Sequence, residues 1–282
     1  MNRLLLFLLI SFLYGDTEAQ SIFSGWTTVS GWDTIPSKIR IDVSPFQFGG
    51  GPWGVNTNGN LPEAESFILS KTTKGFFTFQ VDIQAIFKDK IGFETGFDFT
   101  SGALNENAIR NEFQNHITDY NINIAERNNH TGASPFDNSY GYKIFKLGVV
   151  GFLPYKKAHI VPYLDYLYSI QSDYPSLKVE FADGSSTTLF TREYQFYARN
   201  CNGFKLGTSI RGYFKNSNNK IKHANFYMQL RAEFIYLKTN GYGYYVDKDI
   251  NNNETRSDSH NFNQNIYAFL IGVTLGGLDL HW

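Results

Sequence analysis

A two-residue alternation of large apolar and polar side chains runs through residues 76–100 and restricts the fold more than any other feature of this chain. Successive side chains of a β-strand point to opposite faces, so a period of two predicts two strands here rather than helices. A soluble sheet would bury the apolar face and expose the charged face. The apolar set is Phe77, Phe79, Val81, Ile83, Ala85 and Phe87, followed by Ile91, Phe93, Phe97 and Phe99.

Eight strand-like segments follow from the same kind of pattern, and the connections between them alternate strictly between short and long. The short connections are "KDK", "PYKK" and "KNSNNK", whereas residues 102–141 and 172–200 are among the long polar ones. A transmembrane β-barrel sorts its connections in this way, with short turns on the periplasmic side and long loops outside. The predicted strands are residues 38–48, 75–87, 91–101, 142–153, 158–171, 201–214, 221–238 and 264–282.

Two of the long connections contain segments with a pattern of their own. Residues 103–115 predict a short helix, and residues 178–190 ("KVEFADGSSTTLF") predict a hairpin. The hairpin either extends the barrel wall outward or adds two spanning strands. Eight strands are therefore our prediction, with ten as the alternative.

The polar faces of the predicted strands collect acids and bases in similar number. Glycines such as Gly92 and Gly96 lie on this face, while the opposite face is too uniformly large and aromatic for the narrow interior of a barrel. We therefore predict that the apolar face contacts lipid and that the charges pair inside, because an unpaired buried charge is costly. A soluble sandwich with the apolar faces packed together is the alternative. The predicted lumenal charges are Arg40, Asp42, Asp82, Glu94, Asp98, Lys146, Asp165, Lys205, Arg211, Arg231 and Glu233.

The inward and outward faces of neighbouring strands must stay aligned across each short turn. The number of turn residues therefore predicts which residues lie opposite each other. A three-residue "KDK" loop places Gln84 opposite Glu94 and Gln80 opposite Asp98. An even-length "PYKK" turn, either two residues at Tyr155-Lys156 or four, places Lys146 opposite Asp165 as a cross-strand ion pair. Candidate aromatic anchors at the lipid–water interface are Trp53, Tyr142, Tyr155, Tyr213, Tyr236 and Trp282.

The N-terminus has the pattern of an export signal. Arg3 supplies positive charge, and Leu4 to Tyr14 form an apolar stretch too short to span a bilayer. Thr17 and Ala19 are small enough for a signal-peptidase site, so we predict a signal peptide over residues 1–19 with cleavage after Ala19. The protein is therefore expected to be exported.

The C-terminus, "LGGLDLHW", places Leu278, Leu280 and Trp282 on one face of a final strand. This resembles the assembly signal of outer-membrane barrels of Gram-negative bacteria. Together with the export signal and the sorted loops, the chain resembles the eight-stranded outer-membrane β-barrel family, the OmpA/OmpX type, as architecture over most of residues 38–282. The resemblance implies one domain over residues 20–282, an all-β, antiparallel, up-and-down transmembrane barrel in the bacterial outer membrane. It also implies outer-membrane lipid and the barrel assembly machinery as partners.

One departure from this family lies in residues 266–275, which are apolar on both faces. The last strand is therefore expected either to bulge near Gly276-Gly277 or to present an apolar side to the lumen.

Few residues suggest chemistry. Lys and Arg number 25 against 26 Asp and Glu, and this balance argues against a nucleic-acid partner. The six histidines show no zinc-like spacing and Cys201 is alone, so we expect no cofactor or metal. Asp258 and His260 form an Asp-x-His sequence of the kind found in outer-membrane proteases, so a hydrolase is one alternative.

An eight-stranded barrel is just wide enough for its own side chains to fill. We therefore predict a structural anchor, not an enzyme, whose outer loops bind a partner that the sequence does not identify. A narrow pore is the other alternative.

Overall fold

The structure, a computed structural model, describes residues 39–59, 61–70, 72–127, 139–155, 158–174, 176–184, 187–214 and 224–281. The predicted signal peptide and Trp282 lie outside these residues. No helix among the described residues is long and apolar enough to cross a membrane. The strands are β1 (Ile39–Gly51), β2 (Trp53–Gly59), β3 (Thr72–Phe87), β4 (Ile91–Leu104), β5 (Asn121–Arg127), β6 (Ser139–Gly151), β7 (Leu153–Tyr155), β8 (Ala158–Asp173), β9 (Ser176–Ala182), β10 (Thr188–Phe214), β11 (Ala224–Asp249), β12 (Glu254–Arg256) and β13 (His260–His281), and the helices are α1 (Glu63–Ser70) and α2 (Glu106–His116).

Eight of these strands close into a ring. Antiparallel pairing runs in the order β1, β3, β4, β6, β8, β10, β11 and β13. The last strand pairs with the first, Ile41 lying opposite Leu280, so the ring has no free edge. The predicted eight-stranded, antiparallel, up-and-down barrel is therefore confirmed, and each predicted segment overlaps one ring strand within the described residues.

The turn between β3 and β4 is the one predicted from "KDK". Lys88 and Asp89 adopt positive φ angles of 51° and 53°, and the Lys90 N–H donates to the Phe87 carbonyl at 3.1 Å. The register that this turn sets places Gln84 opposite Glu94 and Gln80 opposite Asp98, which confirms both predicted pairs.

The register between β6 and β8 differs from the prediction. Lys146 lies opposite Leu167, not opposite Asp165, so the predicted cross-strand pair is wrong. Tyr155 pairs with Ala158, so the register is displaced by one position from the turn at Tyr155-Lys156 that the prediction used. A turn moved by one position changes every partner by two residues, so the faces stay as predicted while the opposing residues change.

Above the ring, at the end opposite the short turns, several elements form what we call the cap. The long strands β10 and β11 continue past the ring, joined on one side by β9 and β5 and on the other by β13 and β2. Helix α1 packs against β2, α2 packs against β5, and the two helices contact each other. The predicted hairpin is β9 with the start of β10, and it extends the wall outward without adding strands to the ring.

Helix α2 is the helix predicted over residues 103–115. Asn105 caps its N-terminus by accepting a hydrogen bond from the Ala108 N–H at 3.3 Å. Ile109 and Phe113, four residues apart on one face, are both buried.

An apolar belt surrounds the outside of the ring. Phe93 is 60% exposed, and Leu147 and Tyr166 are each 56% exposed. A soluble monomer rarely exposes so large a contiguous apolar surface. The belt excludes the sandwich alternative, in which these side chains would be packed between two sheets. All eight ring strands contribute to it, with Ile39, Phe48, Phe77, Ile83, Ile91, Phe93, Phe97, Phe145, Leu147, Val149, Leu164, Tyr166, Tyr168, Phe204, Leu206, Phe226, Phe234, Tyr267, Phe269 and Val273 among its members.

The last strand shows both features expected from its sequence. Its pairing with β11 shifts between Tyr227 and Gln229, and Gly276 at this point adopts a φ of 71°, a conformation that a residue with a Cβ rarely takes. Higher up, Ile266 and Leu270 face the interior and are buried. The strand is therefore bulged and also has an apolar inner side.

Candidate functional site

An ionic layer crosses the barrel interior, with Lys146 at its centre. Its ammonium group forms ion pairs with Asp82, with Glu94 at 3.0 Å and with Asp98 at 3.5 Å. These partners come from β3 and β4, so one cation from β6 links three adjacent strands. The side chain of Lys146 is fully buried, and every acid that it contacts is 3% exposed or less.

Lys205 carries the layer across to the other side of the barrel. Its ammonium group donates to Asp98 at 2.8 Å and to the Gln80 side-chain carbonyl at 3.4 Å. It also lies 3.6 Å from Asp165, which is directly opposite Lys205 on the neighbouring strand. Asp165 therefore pairs with Lys205 instead of Lys146.

Two arginines extend the network toward the short-turn end. Arg211 forms an ion pair with Asp42 and donates to the Gln84 side-chain carbonyl at 2.8 Å. Arg40 donates to Asp279 at 2.6 Å, which joins the first strand of the ring to the last.

A third arginine, Arg231, completes the ionic layer. It lies 3.2 Å from Glu233 and donates to Gln80 at 2.6 Å and to Gln47. The Tyr163 hydroxyl donates to Glu233 at 2.5 Å, so this carboxylate is held by both charged and neutral donors.

An aromatic floor lies below the ionic layer. The Phe152 ring stacks on His159 with centroids 4.2 Å apart, and the Arg40 guanidinium lies 4.7 Å from the centre of the same ring. Arg211 stacks in the same way on Tyr227, at 4.1 Å. On the short-turn side, Arg40 also forms an ion pair with Asp89 of the β3–β4 turn, at 3.1 Å. The floor consists of Ile86, Val150, Phe152, Val161, Tyr163, Tyr213 and Tyr227.

An apolar plug fills the interior above the ionic layer. The ring strands contribute inward side chains, and the cap helices add Ile68 and Leu69 from α1 and Ile109 and Phe113 from α2. The plug also includes Phe76, Ile122, Ile124, Tyr142, Ile144, Leu167, Tyr174, Leu177, Val179, Phe181, Tyr194, Phe196, Cys201, Ile235, Leu237, Phe262, Ile266, Ala268 and Leu270.

The floor, the ionic layer and the plug together fill the barrel interior. Removing one partner of a buried ion pair typically costs about 3–5 kcal/mol, because the other charge is left without compensation. The described charges share partners, so the network ties the strands together. The arrangement cross-links the ring strands from inside.

Within the cap, Glu65 of α1 faces His260 at the start of β13. Glu65 is fully buried, neither carboxylate oxygen accepts a hydrogen bond from the described residues, and His260 Nδ1 lies 3.8 Å away. Burial raises the pKa of Glu65, and the nearby His260 and Arg192 oppose this shift. Arg192 in turn donates two hydrogen bonds to Asp247, at 2.6 and 2.7 Å.

The Asp-x-His sequence does not form a compact pair. His260 lies beside Glu65, whereas the Asp258 side chain is exposed. Among the described residues, no three or more His, Cys, Asp or Glu side chains are grouped so that they could hold a metal ion.

No protein-family model and no curated protein matches this sequence. The fold resembles that of solved outer-membrane proteins. The outer membrane protein OprG from Pseudomonas aeruginosa is 10% identical, with 88% of this chain and 98% of that chain covered and a TM-score of 0.35. A major outer membrane protein from Thermus thermophilus is 11% identical, with 84% of this chain and 98% of that chain covered and a TM-score of 0.33.

The outer membrane protease OmpT from Escherichia coli is also similar. It is 10% identical, with 90% of this chain and 99% of that chain covered and a TM-score of 0.24. All three scores are low. The barrel described here therefore rests on the strand pairing and the exposed belt of this chain itself.

The eleven charges predicted for the lumen all lie inside the barrel. Each is 3% exposed or less, and the network described above joins them. Leu278 and Leu280 lie on the outward face of β13, opposite Phe226 and Ala224 of β11. Their role as an assembly signal remains a prediction.

Sequence reasoning missed Asp279 and assigned two tyrosines to the wrong face. Asp279 lies between Leu278 and Leu280, so the alternation of the last strand could have placed it inside. Tyr142 and Tyr213 were candidate interface anchors, but both are buried in the interior. They share the parity of Lys146 and Arg211 on their strands, whereas Tyr236 lies on the outward face beside Tyr267, with ring centroids 5.2 Å apart.

Proposed function

We propose that the protein is an integral protein of the bacterial outer membrane, in which the barrel anchors the cap at the cell surface and the cap binds a partner there. The exposed apolar belt supports the membrane location. The difference between the short turns at one end and the cap at the other supports the orientation, since outer-membrane barrels place their long loops outside.

The observation that carries the anchor role is the filled interior. Ile144, Leu167, Leu237 and Leu270, from four different ring strands, are all fully buried in the plug. Ions need a continuous polar path, and an apolar layer directly above the ionic layer interrupts that path. The described part of the barrel is therefore suited to support and not to conduction.

Two measurements test this role. The purified protein should migrate differently on SDS gels before and after boiling, as folded outer-membrane barrels do, and should remain with the membrane fraction. Reconstituted in a planar bilayer, it should give no steady single-channel current, with a general porin in the same bilayer as the positive control. Steady currents would favour the narrow pore instead, and absence from the membrane fraction would contradict the proposal as a whole.

The outer face of the cap offers surface for a partner. A groove of about 460 Å³ lies on it, between the upper ends of β10 and β11 and the strands beside them. Lys178, Thr191, Glu193, Val246 and Lys248 are among its lining residues, so both charged and apolar groups are presented there.

A further inference from the structure

A ladder of aromatic and cationic side chains lies on the outward face of β10, β11 and β12, above the belt. The Tyr197 ring is nearly parallel to Tyr242 and Tyr244, with interplanar angles of 16° and 12° and centroids 5.2 and 5.9 Å apart. Arginines cover both ends, with the Arg199 guanidinium 5.1 Å from the Tyr242 ring centre and Arg256 3.7 Å from that of Tyr244.

Hydrogen bonds hold the ladder in one arrangement. The Gln195 side-chain carbonyl accepts from the Tyr197 hydroxyl at 2.9 Å and from the Tyr244 hydroxyl at 2.6 Å. The rings are therefore fixed before any ligand arrives, which lowers the entropic cost of binding.

The two arginines keep their donors available. Both are exposed, and neither forms an ion pair or a hydrogen bond to another side chain among the described residues. A guanidinium that stacks on a ring still presents its N–H groups at its edge, in the geometry that binds phosphate through two parallel hydrogen bonds.

The outward surface between the belt and the ladder is rich in amides, whereas at the upper end of the ladder Glu193 accepts a hydrogen bond from Gln195 at 3.0 Å and Glu254 lies two residues from Arg256 on β12. Between the belt and Glu193, the outward residues of β10, β11 and β13, all within the described ranges, include no carboxylate. They include exposed Lys238, and the amides are Asn200, Asn202, Asn240, Asn261, Asn263 and Asn265. This combination suits a ligand that carries both hydroxyl groups and negative charge.

The ladder continues the lipid-facing surface of the same strands. Tyr242 is six residues above Tyr236, where the belt ends on β11, which corresponds to roughly 15 Å along the membrane normal for a tilted strand. A molecule whose acyl chains lie on the belt would therefore hold its head group at the level of Lys238 and the ladder.

We propose that the ladder binds the phosphorylated sugar head group of a lipopolysaccharide molecule in the outer leaflet. Arg199 and Arg256 contact phosphate, and the tyrosine hydroxyls and neighbouring amides contact sugar hydroxyls. This inference rests on the proposed membrane location and adds a specific lipid to it.

The test uses the whole protein purified in detergent and measures the affinity for lipopolysaccharide. The double variant Arg199→Ala/Arg256→Ala should bind about tenfold more weakly or worse, since two charge-assisted contacts are lost. Lys90→Ala, which removes an exposed cation at the short-turn end, should bind as the unmodified protein does. Arg199→Lys/Arg256→Lys should fall between, because lysine keeps the charge but not the paired hydrogen bonds.

Two further ligands test which chemical group of lipopolysaccharide the ladder recognises. Lipopolysaccharide stripped of phosphate should bind the unmodified protein as weakly as intact lipopolysaccharide binds the double alanine variant. Anionic phosphatidylglycerol should bind the unmodified protein and the variant equally. Equal affinity of the unmodified protein and the double alanine variant for intact lipopolysaccharide would overturn the inference, as would phosphatidylglycerol binding that falls to the same extent.

Heat-modifiable migration of each variant separates this result from the membrane assignment. A variant that migrates as a folded barrel and binds lipopolysaccharide normally contradicts the ladder's role and leaves the anchor role intact. Loss of the folded band from the unmodified protein would instead contradict the anchor role.

Discussion

The lower and upper parts of β10 and β11 are built with opposite polarity. In the lower part, Leu206 faces outward and Lys205 inward, whereas in the cap Gln195 faces outward and Phe196 inward. The backbone pairing is the same antiparallel ladder in both parts. The difference teaches that the medium outside the wall, hydrocarbon below and water above, decides which face of a strand carries apolar side chains.

Strand β11 shows that the two faces change at different heights. The inward face changes from Glu233 to Ile235, and the outward face changes from Tyr236 to Lys238. The lowest residues of the plug therefore lie at heights where the outside of the wall still carries belt residues. This overlap places an apolar seal inside the part of the barrel that the belt surrounds.

The largest effect should come from removing the central cation of the lower part. Lys146→Met leaves Asp82, Glu94 and Asp98 close together without their shared partner, and we expect a loss of about 3–5 kcal/mol. The measurement is urea unfolding in detergent, followed by heat-modifiable migration. Lys238→Met, at an exposed site on the outer surface, is the control. Equal stability of the two variants would show that the ionic layer does not support the barrel.

A substitution in the plug should act on the cap and spare the ring. Leu69→Ala removes a fully buried side chain of α1, for which about 2–5 kcal/mol is typical. We expect faster proteolysis within the cap. The temperature at which the folded band of the ring is lost on SDS gels should not change. A parallel fall of the ring transition would mean that the two parts unfold as one unit.

The outward faces can be compared by placing the same charge at two heights. Leu206→Arg puts a cation on the belt, where about 2–4 kcal/mol of destabilisation is expected at the bilayer midplane. Asn240→Arg puts it on the exposed surface above the belt and should have almost no effect. Folding equilibria in lipid vesicles measure both, and similar values would place the two sites in the same medium.

The smallest effect is expected from Glu65, the buried acid of the cap. Its pKa is raised above the ordinary value of 4.5, so the fold favours the protonated carboxyl. That contribution is fully present below pH 4.5 and is lost as the pH rises through the raised pKa. Glu65→Gln, which stays neutral, should therefore slow hydrogen exchange of the α1 amides at neutral pH, and the difference should vanish in acid.

Glu63→Gln, on the exposed side of the same helix, is the comparison for this experiment, and because it removes an ion pair with His116 at 3.3 Å it should not slow this exchange. A protective effect of the Glu65 substitution that persists unchanged in acid would rule out titration as its cause.

Sequence alone could predict the lower part because strict alternation and short turns determine both faces and neighbours. The pairing of Gln84 with Glu94 followed directly from three loop residues. The predicted pairing of Lys146 with Asp165 failed because the position of a turn cannot be read from alternation, and one position changes the partner by two.

The upper part was harder to predict because its patterns are mixed or interrupted. Residues 266–270 are apolar on both faces, since one face meets the belt region and the other the plug. A shift in pairing between Ala198 and Asn200 reverses the parity of β10 at the start of the cap. Helix α1 and strand β2 have short, weakly patterned sequences, and their contacts come from elements distant in the chain.

The Arg40–Asp279 ion pair has a consequence for how the chain must be made. Its two residues are 239 positions apart, so this ion pair, unlike the pair of Arg40 with Asp89 at 3.1 Å, forms only when the last strand is present. A chain that lacks the last strand would lose this pair and would also leave one edge of β1 unpaired. Closure of the ring is therefore expected to follow export of the final strand.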